Sequence, residues 1–500
     1  MLAETTGQFP PPPAPFNLAA YVLARADELA DRTALVIVSP QGAARWRYGT
    51  LLQAVQGIAA GLAAQGLAPG DRVLMRLGNE VEFPLAYLGA IWAGLVPVPA
   101  SAALTVPEIT RIAGEVRPRL IVAAPEVSLP EPLPCPVLPA LALREMESAP
   151  PAPPDLGDPD RPAYIVYTSG TSGRPRGVVH AHRAIWARRM MWDGWYGLTE
   201  ADRLMHAGAF NWTYTLGTGL LDPWSLGATA LVPAAGVLPG QLPLLLKRFD
   251  ATLFAAAPGV FRQMLKDVER LDAPKLRHGI SAGEKLPDPV RAGWERATGT
   301  PVHEALGMSE CSTFVSACPA RPAPPGATGY PQEGRRVAVL GEDGAVLPRG
   351  TQGTLAVHGS DPGLMLGYLD APEETEARFS GDWFVTGDTV VMAEDGAITF
   401  LGRTDDMMNA GGVRVSPLEV ERALADHPGI AEVACAEVAV KPGVTVIGAF
   451  YTSPAEIDTD ALAAFAAERL ARYKCPRLYE RVESLPRSGN GKVNRRALRR

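Results

Sequence analysis

Ala163-Tyr-Ile-Val-Tyr-Thr-Ser-Gly-Thr-Ser-Gly-Arg-Pro-Arg-Gly-Val-Val-His-Ala-His182 is the most informative stretch of this chain. Its first five residues form an apolar run of strand length and predict a buried strand. The next residues gather Gly170, Gly173 and Gly177, the hydroxyls of Thr168, Ser169, Thr171 and Ser172, and the cations Arg174 and Arg176. Glycines let a backbone turn with its N–H groups facing inward, and hydroxyls and guanidiniums add donors to the same concavity. The loop therefore reads as a polyphosphate cradle. An ordinary Gly/Ser surface loop is the plain alternative, and delivery from a buried strand argues against it. The spacing is not that of the Walker loop, which needs Gly-x4-Gly-Lys followed by Ser or Thr.

Strand and helix alternate on both sides of this loop. Upstream, Asn17 to Arg32 has a helical pattern with Leu18, Val22, Leu23 and Leu29 near one face, and a longer helix starts at Tyr48. Strands follow at Arg72 to Leu77, Leu95 to Val98 and Leu120 to Ala124, separated by helices at Phe83 to Ala93 and Ile109 to Val116. Residues 124–162 are crowded with proline and predict a wrapping surface segment. Downstream, helices at Ala184 to Trp192, Leu216 to Ser225, Gln241 to Arg248 and Val260 to Arg270 alternate with strands at Leu204, Ala228 and Thr252. Such alternation implies crossovers and mostly parallel sheets. The expected class is α/β, with two mostly parallel sheet layers in a large N-terminal domain, residues 1–403. From about Gly326 short strands and turns predict a small β module within it. Past Arg403 a helix at Pro417 to Ala425, strands at Glu432 and Thr445 and a helix from Asp460 predict a small α+β domain, residues 404–500.

Bulk composition narrows the function classes. Five hundred residues, 47% hydrophobic and 20% charged, describe a globular chain of more than one domain. A net charge of −7 argues against nucleic acid as a partner. The start Met-Leu-Ala-Glu-Thr-Thr-Gly-Gln has neither the basic start nor the apolar run of a signal peptide, and no stretch reads as a membrane span, so a cytoplasmic protein is expected. Cys135, Cys311, Cys318, Cys435 and Cys475 show no Cys-x-x-Cys pair and read as free thiols.

Two further segments fall where α/β sheets bind ligands, at the ends of consecutive predicted strands: Ser281-Ala-Gly-Glu-Lys-Leu and Glu304-Ala-Leu-Gly-Met-Ser-Glu310. Taken alone, Glu310 reads as a solvated loop carboxylate, Asp388 as a turn former and Lys492 as a surface charge. Together with the glycine-rich loop they form an ordered set. The loop resembles the signature Tyr-Thr-Ser-Gly-Thr-Thr-Gly-x-Pro-Lys-Gly of the adenylate-forming superfamily, which includes acyl- and aryl-CoA synthetases, nonribosomal-peptide adenylation domains and firefly luciferase. Arg176 stands in the place of the usual Lys. The resemblance runs from about residue 17 to the end and is closest in look to benzoate and medium-chain acyl-CoA ligases.

The resemblance implies a role for each motif. Thr168, Ser169, Gly170, Thr171, Ser172, Gly173 and Arg176 would hold the departing phosphates, and Gly283 and Glu284 would also line the nucleotide. Glu304-Ala-Leu-Gly-Met-Ser-Glu310 is similar to the family's Tyr-Gly-Met-Thr-Glu. Glu310 would therefore hold Mg2+ and Ser309 would meet the α-phosphate, while Leu306 replaces the usual Tyr. Asp388 and Arg403 match the ribose-binding pair and Asp405 the hinge of a mobile C-terminal domain. Gly411 and Gly412 match the loop that lines the CoA pantetheine tunnel, and Lys492 matches the catalytic Lys that stabilises charge on carboxylate and α-phosphate. Phe210, Asn211, Trp212 and Gly307 would line the acyl pocket. Amino-acid-activating relatives carry an Asp after the Phe; Asn211 there points to an uncharged acyl or aryl tail. His180, His182 and His206 read as structural, because a carboxylate is already a nucleophile at neutral pH.

The expected reaction is ATP-dependent ligation of a carboxylic acid to CoA through an acyl-AMP intermediate. A former of acyl-adenylate that loads a separate carrier protein, and a non-catalytic nucleotide-binding homologue, stand as alternatives. Similar ligases imply a lysine acetyltransferase acting on Lys492 as a partner, and a monomer or homodimer.

Overall fold

The computed structural model describes residues 1–168, 175–266, 268–404, 406–410, 413–441, 444–470, 472, 474–488 and 491–499. They gather into two compact units, Thr5–Arg336 with His358–Asp382, and Met1–Glu4 with Val337–Val357 and Trp383–Arg500.

The larger unit contains two mostly parallel sheets. In the first, four parallel strands run in the order Val96–Pro99, Arg72–Arg76, Leu120–Ala123, Val137–Pro139. In the second, parallel strands run in the order Val302–Met308, His278–Ala282, Leu253–Ala256, Arg203–His206, Thr229–Pro233, Thr33–Val38. Antiparallel strands close this sheet, Ser312–Ser316 and Tyr330–Pro331 at one edge and Ala43–Arg47 at the other. Helices Tyr48–Ala64 and Glu82–Trp92 share a core with Val73 and Val122 of the first sheet and Leu35 and Val232 of the second. All 11 residues of Glu82–Trp92 are buried, the fate of a helix apolar on every side.

A third, antiparallel sheet carries the glycine-rich loop. Pro162–Thr168 pairs with Arg176–Ala181, and Gly367–Tyr368 pairs with the latter. The loop thus joins the two strands of a hairpin, in which Thr168 stands opposite Arg176. Sequence alone reads only the first of these strands, because Val178-Val-His-Ala is short and merges with the polar loop before it. The proline-crowded segment expected only to wrap the surface likewise supplies strand Val137–Pro139 and helix Ala142–Met146. A strand needs no N–H from a proline at its end.

Helix lengths also differ from expectation. The helix expected over Asn17 to Arg32 is confined to Leu18–Val22, capped by Asn17. Beyond it Leu23, Ala26 and Leu29 are buried through turns closed by bonds such as Ala26 N to Leu23 O and Arg32 N to Leu29 O, which keep a spacing of three without an α-helix. Ala184 to Trp192 is broken after Ala184–Ala187 and resumes into a π-helical turn, Trp192–Tyr196, and Val260 to Arg270 is replaced by Pro258–Leu265. Leu216 to Ser225 is divided among Thr213–Leu216, a π-helical turn Gly217–Leu221 and Asp222–Leu226.

The β module expected within residues 1–403 groups instead with the C-terminal residues: in the smaller unit, strands Val337–Leu340, Gln352–His358, Trp383–Met392 and Ile398–Arg403 form one sheet, so this compact unit begins well before residue 404. Helix Pro417–Ala425, capped by Ser416 with Pro417 at its first turn, packs on Ile398–Arg403, and Ser416 Oγ donates to Leu401 O. Strand Val444–Thr452 pairs antiparallel with Glu432–Lys441 and parallel with Leu478–Arg481. Val420, Leu424, Cys435, Ile447 and Ala466 form the core beneath these helices and strands. No helix among the described residues is long and apolar enough to cross a membrane.

Candidate active site

His278–Ala282 and Val302–Met308 are parallel neighbours, so their C-terminal ends bring Ser281–Leu286 and Ser309–Glu310 side by side, where open α/β sheets take ligands. Glu304, buried in the second strand, ties the two together. Its carboxylate accepts from Leu286 N at 3.0 Å, Lys285 Nζ at 2.9 Å and Arg291 Nη2 at 3.0 Å. Gly283 and half-buried Glu284 sit at the turn held by these bonds. Gly307 lies at a register shift where the strand folds back on Ser312–Ser316. A Cβ there would stand 2.3 Å from Ser312 O, so backbone packing demands glycine whatever the ligand.

Glu310 is half-buried, and its Oε1 accepts from Tyr368 Oη at 2.7 Å while its own carbonyl accepts from Met365 N at 2.7 Å. Tyr368 belongs to the strand that pairs with Arg176–Ala181. The hairpin bearing the glycine-rich loop and the Glu310 carboxylate are therefore linked through one tyrosine. Sequence reasoning missed Tyr368, since 58 residues separate it from Glu310 and only strand pairing brings them together. Among the described residues no group of three or more His, Cys, Asp or Glu forms a cation cage. A single carboxylate suits a magnesium ion whose other ligands are phosphate oxygens and water.

Thr168 is half-buried at the end of its strand, and Arg176 Nε lies 2.5 Å from Glu374 Oε2. Ser169, Gly170, Thr171, Ser172 and Gly173 lie outside the described residues, as do Asp405, Gly411 and Gly412.

In the smaller unit, Asp388 and Arg403 stand opposite each other on neighbouring antiparallel strands. Arg403 Nη1 donates to Asp388 Oδ1 at 2.8 Å and to Thr386 O at 3.0 Å. Asp388 does not follow a turn, as its Thr-Gly-Asp context suggests; the strand Trp383–Met392 runs through it, with Gly387 at φ +77°. Lys492 is half-buried on a hairpin. Ser488 N donates to Lys492 O at 2.8 Å, and Arg487 pairs with Val493. Lys474 Nζ lies 2.5 Å from Glu419 Oε1.

Of the residues expected to line an acyl pocket, Phe210 is core: its ring lies 5.1 Å from that of Phe83, and its N–H is bound by Asn79 Oδ1 at 3.0 Å. Asn211 and Trp212 are half-buried ahead of helix Thr213–Leu216. Nearby a cavity is lined by Tyr87, Tyr164, His180, Arg188, Thr213 and Ser309, with Leu216, Leu221 and Ala184. Arg188 enters it from a buried ion pair, Nε to Asp222 Oδ1 at 2.8 Å and Nη2 to Asp222 Oδ2 at 2.5 Å, with Tyr196 and Thr218 completing the set. His180, His182 and His206 are all buried, and desolvation depresses their pKa values to about 4, about 3 and about 3. They are neutral imidazoles. His182 Nδ1 accepts from Leu18 N at 3.0 Å, a structural role.

The chain matches the family model described as AMP-binding enzyme over residues 22–369, and that of the AMP-binding enzyme C-terminal domain over residues 419–492. It belongs to the AMP-binding enzymes. The benzoate–CoA ligase of Thauera aromatica is 31% identical to this AMP-binding enzyme over 475 residues, 87% of this chain and 86% of the relative. The crystal structure of a benzoate CoA ligase from Burkholderia xenovorans LB400 superposes with a TM-score of 0.86 at 28% identity, covering 97% of this chain and 100% of that one. The anthranilate CoA ligase AuaEII in complex with anthranoyl-AMP gives 0.87 at 26% identity, with 97% of each chain covered.

Proposed function

We infer that this AMP-binding enzyme is an ATP-dependent carboxylic acid–CoA ligase. The acid carboxylate attacks the α-phosphorus of ATP to give acyl-AMP and pyrophosphate, and the CoA thiolate then displaces AMP to give the thioester. One observation carries the reading: the Ser309–Glu310 turn and the Ser281–Leu286 loop sit at the ends of adjacent parallel strands, with Glu310 oriented by Tyr368, within a chain similar along its length to CoA ligases.

The residue roles follow from chemistry. Ser309 would meet the α-phosphate, Glu310 would hold Mg2+, which neutralises phosphate charge, and the loop from Thr168 to Arg176 would hold the departing phosphates. Asp388 would take the ribose hydroxyls, with Arg403 fixing its carboxylate. Lys492 would stabilise the charge that develops between carboxylate and α-phosphate. Between half-reactions the domain of residues 404–500 would turn about Asp405 and bring Gly411 and Gly412 to the CoA side. Acetylation of Lys492 would remove its charge and silence the first step.

Pyrophosphate and AMP release, measured over a panel of carboxylic acids with and without CoA, tests the reading. Both products in the presence of CoA, together with acyl-CoA, support it. Pyrophosphate release with no acyl-CoA formed from the acyl-AMP when CoA is present favours a carrier-loading enzyme, and no pyrophosphate from any acid overturns both.

A further inference from the structure

Ser309–Cys311 is a short turn that joins Val302–Met308 to Ser312–Ser316, closed by Cys311 N to Met308 O at 3.3 Å, with Ser312 opposite Met308. The residue that follows such a turn commonly takes a left-handed conformation, which glycine adopts without strain. Ser312 adopts it with a φ of +63°. A side chain there is strained, and strain of this kind persists where surrounding bonds fix it, often at functional sites. Ser312 supplies what glycine lacks, a hydroxyl.

That hydroxyl accepts from Arg188 Nη1 at 2.5 Å. The guanidinium itself is held on its other edge. Nε donates to Asp222 Oδ1 at 2.8 Å and Nη2 to Asp222 Oδ2 at 2.5 Å, a two-point pairing that fixes its plane. Tyr196 Oη and Thr218 Oγ1 each lie 3.2 Å from Nη2. A Cβ at Gly217 would stand 2.2 Å from Arg188 Cζ, so the guanidinium lies against main chain. With Nε and Nη2 fixed, the rigid fork sets the direction of Nη1 as well, which the freely turning ammonium of a lysine would not. Two further bonds reach the same turn: His180 Nε2 donates to Ser309 O at 2.7 Å, and Met365 N to Glu310 O at 2.7 Å. Ser309, Glu310 and Ser312 are each held by a residue remote in sequence.

We propose that Arg188 is a positioning residue for adenylate formation: acting through the Ser312 hydroxyl, it fixes the turn that presents Ser309 to the α-phosphate. The proposal rests on the ligase reading above and adds two residues that act without touching substrate. Groups fixed in advance need no reorganisation as charge develops, and a misplacement of about 1 Å at a reacting centre costs on the order of 10²-fold in rate.

Removing Arg188 would leave Asp222 buried without its counter-charge and endanger the fold, so the test is made at half-buried Ser312. Ser312→Gly relieves the left-handed strain and Ser312→Ala keeps it; both remove the hydroxyl. With an acid that the wild-type enzyme activates, pyrophosphate release by either full-length variant loses roughly 10–100-fold in kcat, with the KM for the acid within about threefold of wild type. Conversion of the supplied acyl-adenylate to acyl-CoA also stays within about threefold. Calorimetric Kd values for AMP and for adenosine give a readout that needs no acid: the preference for AMP falls at least about threefold in both variants while the adenosine Kd holds, as for one weakened phosphate contact. Equal losses in the two variants place the effect in the hydroxyl and not in the strain. Pyrophosphate release within about threefold of wild type in either variant, an unchanged AMP preference, or equal loss in both half-reactions overturns the inference while the ligase reading stands. No pyrophosphate from the wild-type enzyme with any acid overturns the ligase reading and the inference with it.

Discussion

The residues assigned to the nucleotide fall in two regions that hold them differently. In the larger unit Glu310 and the Ser281–Leu286 loop are positioned by side chains remote in sequence, Tyr368 for the first and Glu304 for the second, above a core with a buried ion pair and buried neutral histidines. In the smaller unit Lys492 is placed by the main chain of a local hairpin and Asp388 by the register of two strands. The lesson is that changes in the first region should disturb folding and chemistry together, whereas changes at Lys492 should disturb chemistry alone.

Acid should separate the two regions most. His180, His182, His206 and His303 are all in the larger unit and are held by burial at pKa values of about 4, 3, 3 and 3. The folded values lie below the unfolded value of about 6.5, so the unfolded chain binds more protons. Stability is therefore complete above about pH 6.5 and declines as pH falls toward these folded values. At pH 5 each such histidine favours unfolding by about 2 kcal/mol. Hydrogen exchange from pH 7 to pH 5 should show the larger unit losing protection first; equal loss in both units would break the comparison.

Asp222→Ala ranks next, because it strands the Arg188 guanidinium in a buried site. A loss of about 3–5 kcal/mol in denaturant unfolding is expected; a loss under about 1 kcal/mol would mean that water reaches Arg188. Lys492→Ala should lower adenylation by ~10²–10³-fold, with conversion of supplied acyl-adenylate to acyl-CoA retained and the melting temperature within about 1 °C of wild type. Loss of both half-reactions in equal measure would deny Lys492 its role, and a large fall in melting temperature would erase the contrast between the regions. Tyr368→Phe should have the smallest effect, roughly 3–10-fold on adenylation, in line with one hydrogen bond to a carboxylate at a half-exposed site. A raised magnesium requirement in that variant would sharpen the assignment of Glu310.

Much of this organisation is legible locally. The strand-then-loop character of Ser281–Leu286 and Ser309–Glu310 is visible because a parallel strand is a short apolar run and a ligand loop is marked by glycine and polar residues. The helix Pro417–Ala425 is legible for a similar reason, with Ser416 and Pro417 at its start. The expected helix over Asn17 to Arg32 shows the limit, since a spacing of three or four apolar residues serves a series of turns as well as a helix. Tyr368 shows it at the site: its bond to Glu310 joins residues 58 apart in sequence, a pairing that no local pattern marks.

Sequence by itself determined the α/β class, the order of the motifs and their membership in one family, because periodicity, turn chemistry and motif spacing are written along the chain. Only the tertiary structure decided that Thr33–Val38 inserts beside Thr229–Pro233, that Tyr368 donates to Glu310, and that Arg188 and Asp222 meet in a buried ion pair. The physical reason is that a hydrogen bond made, or left unmade, between residues far apart depends on distance and desolvation, which exist only once the chain has folded.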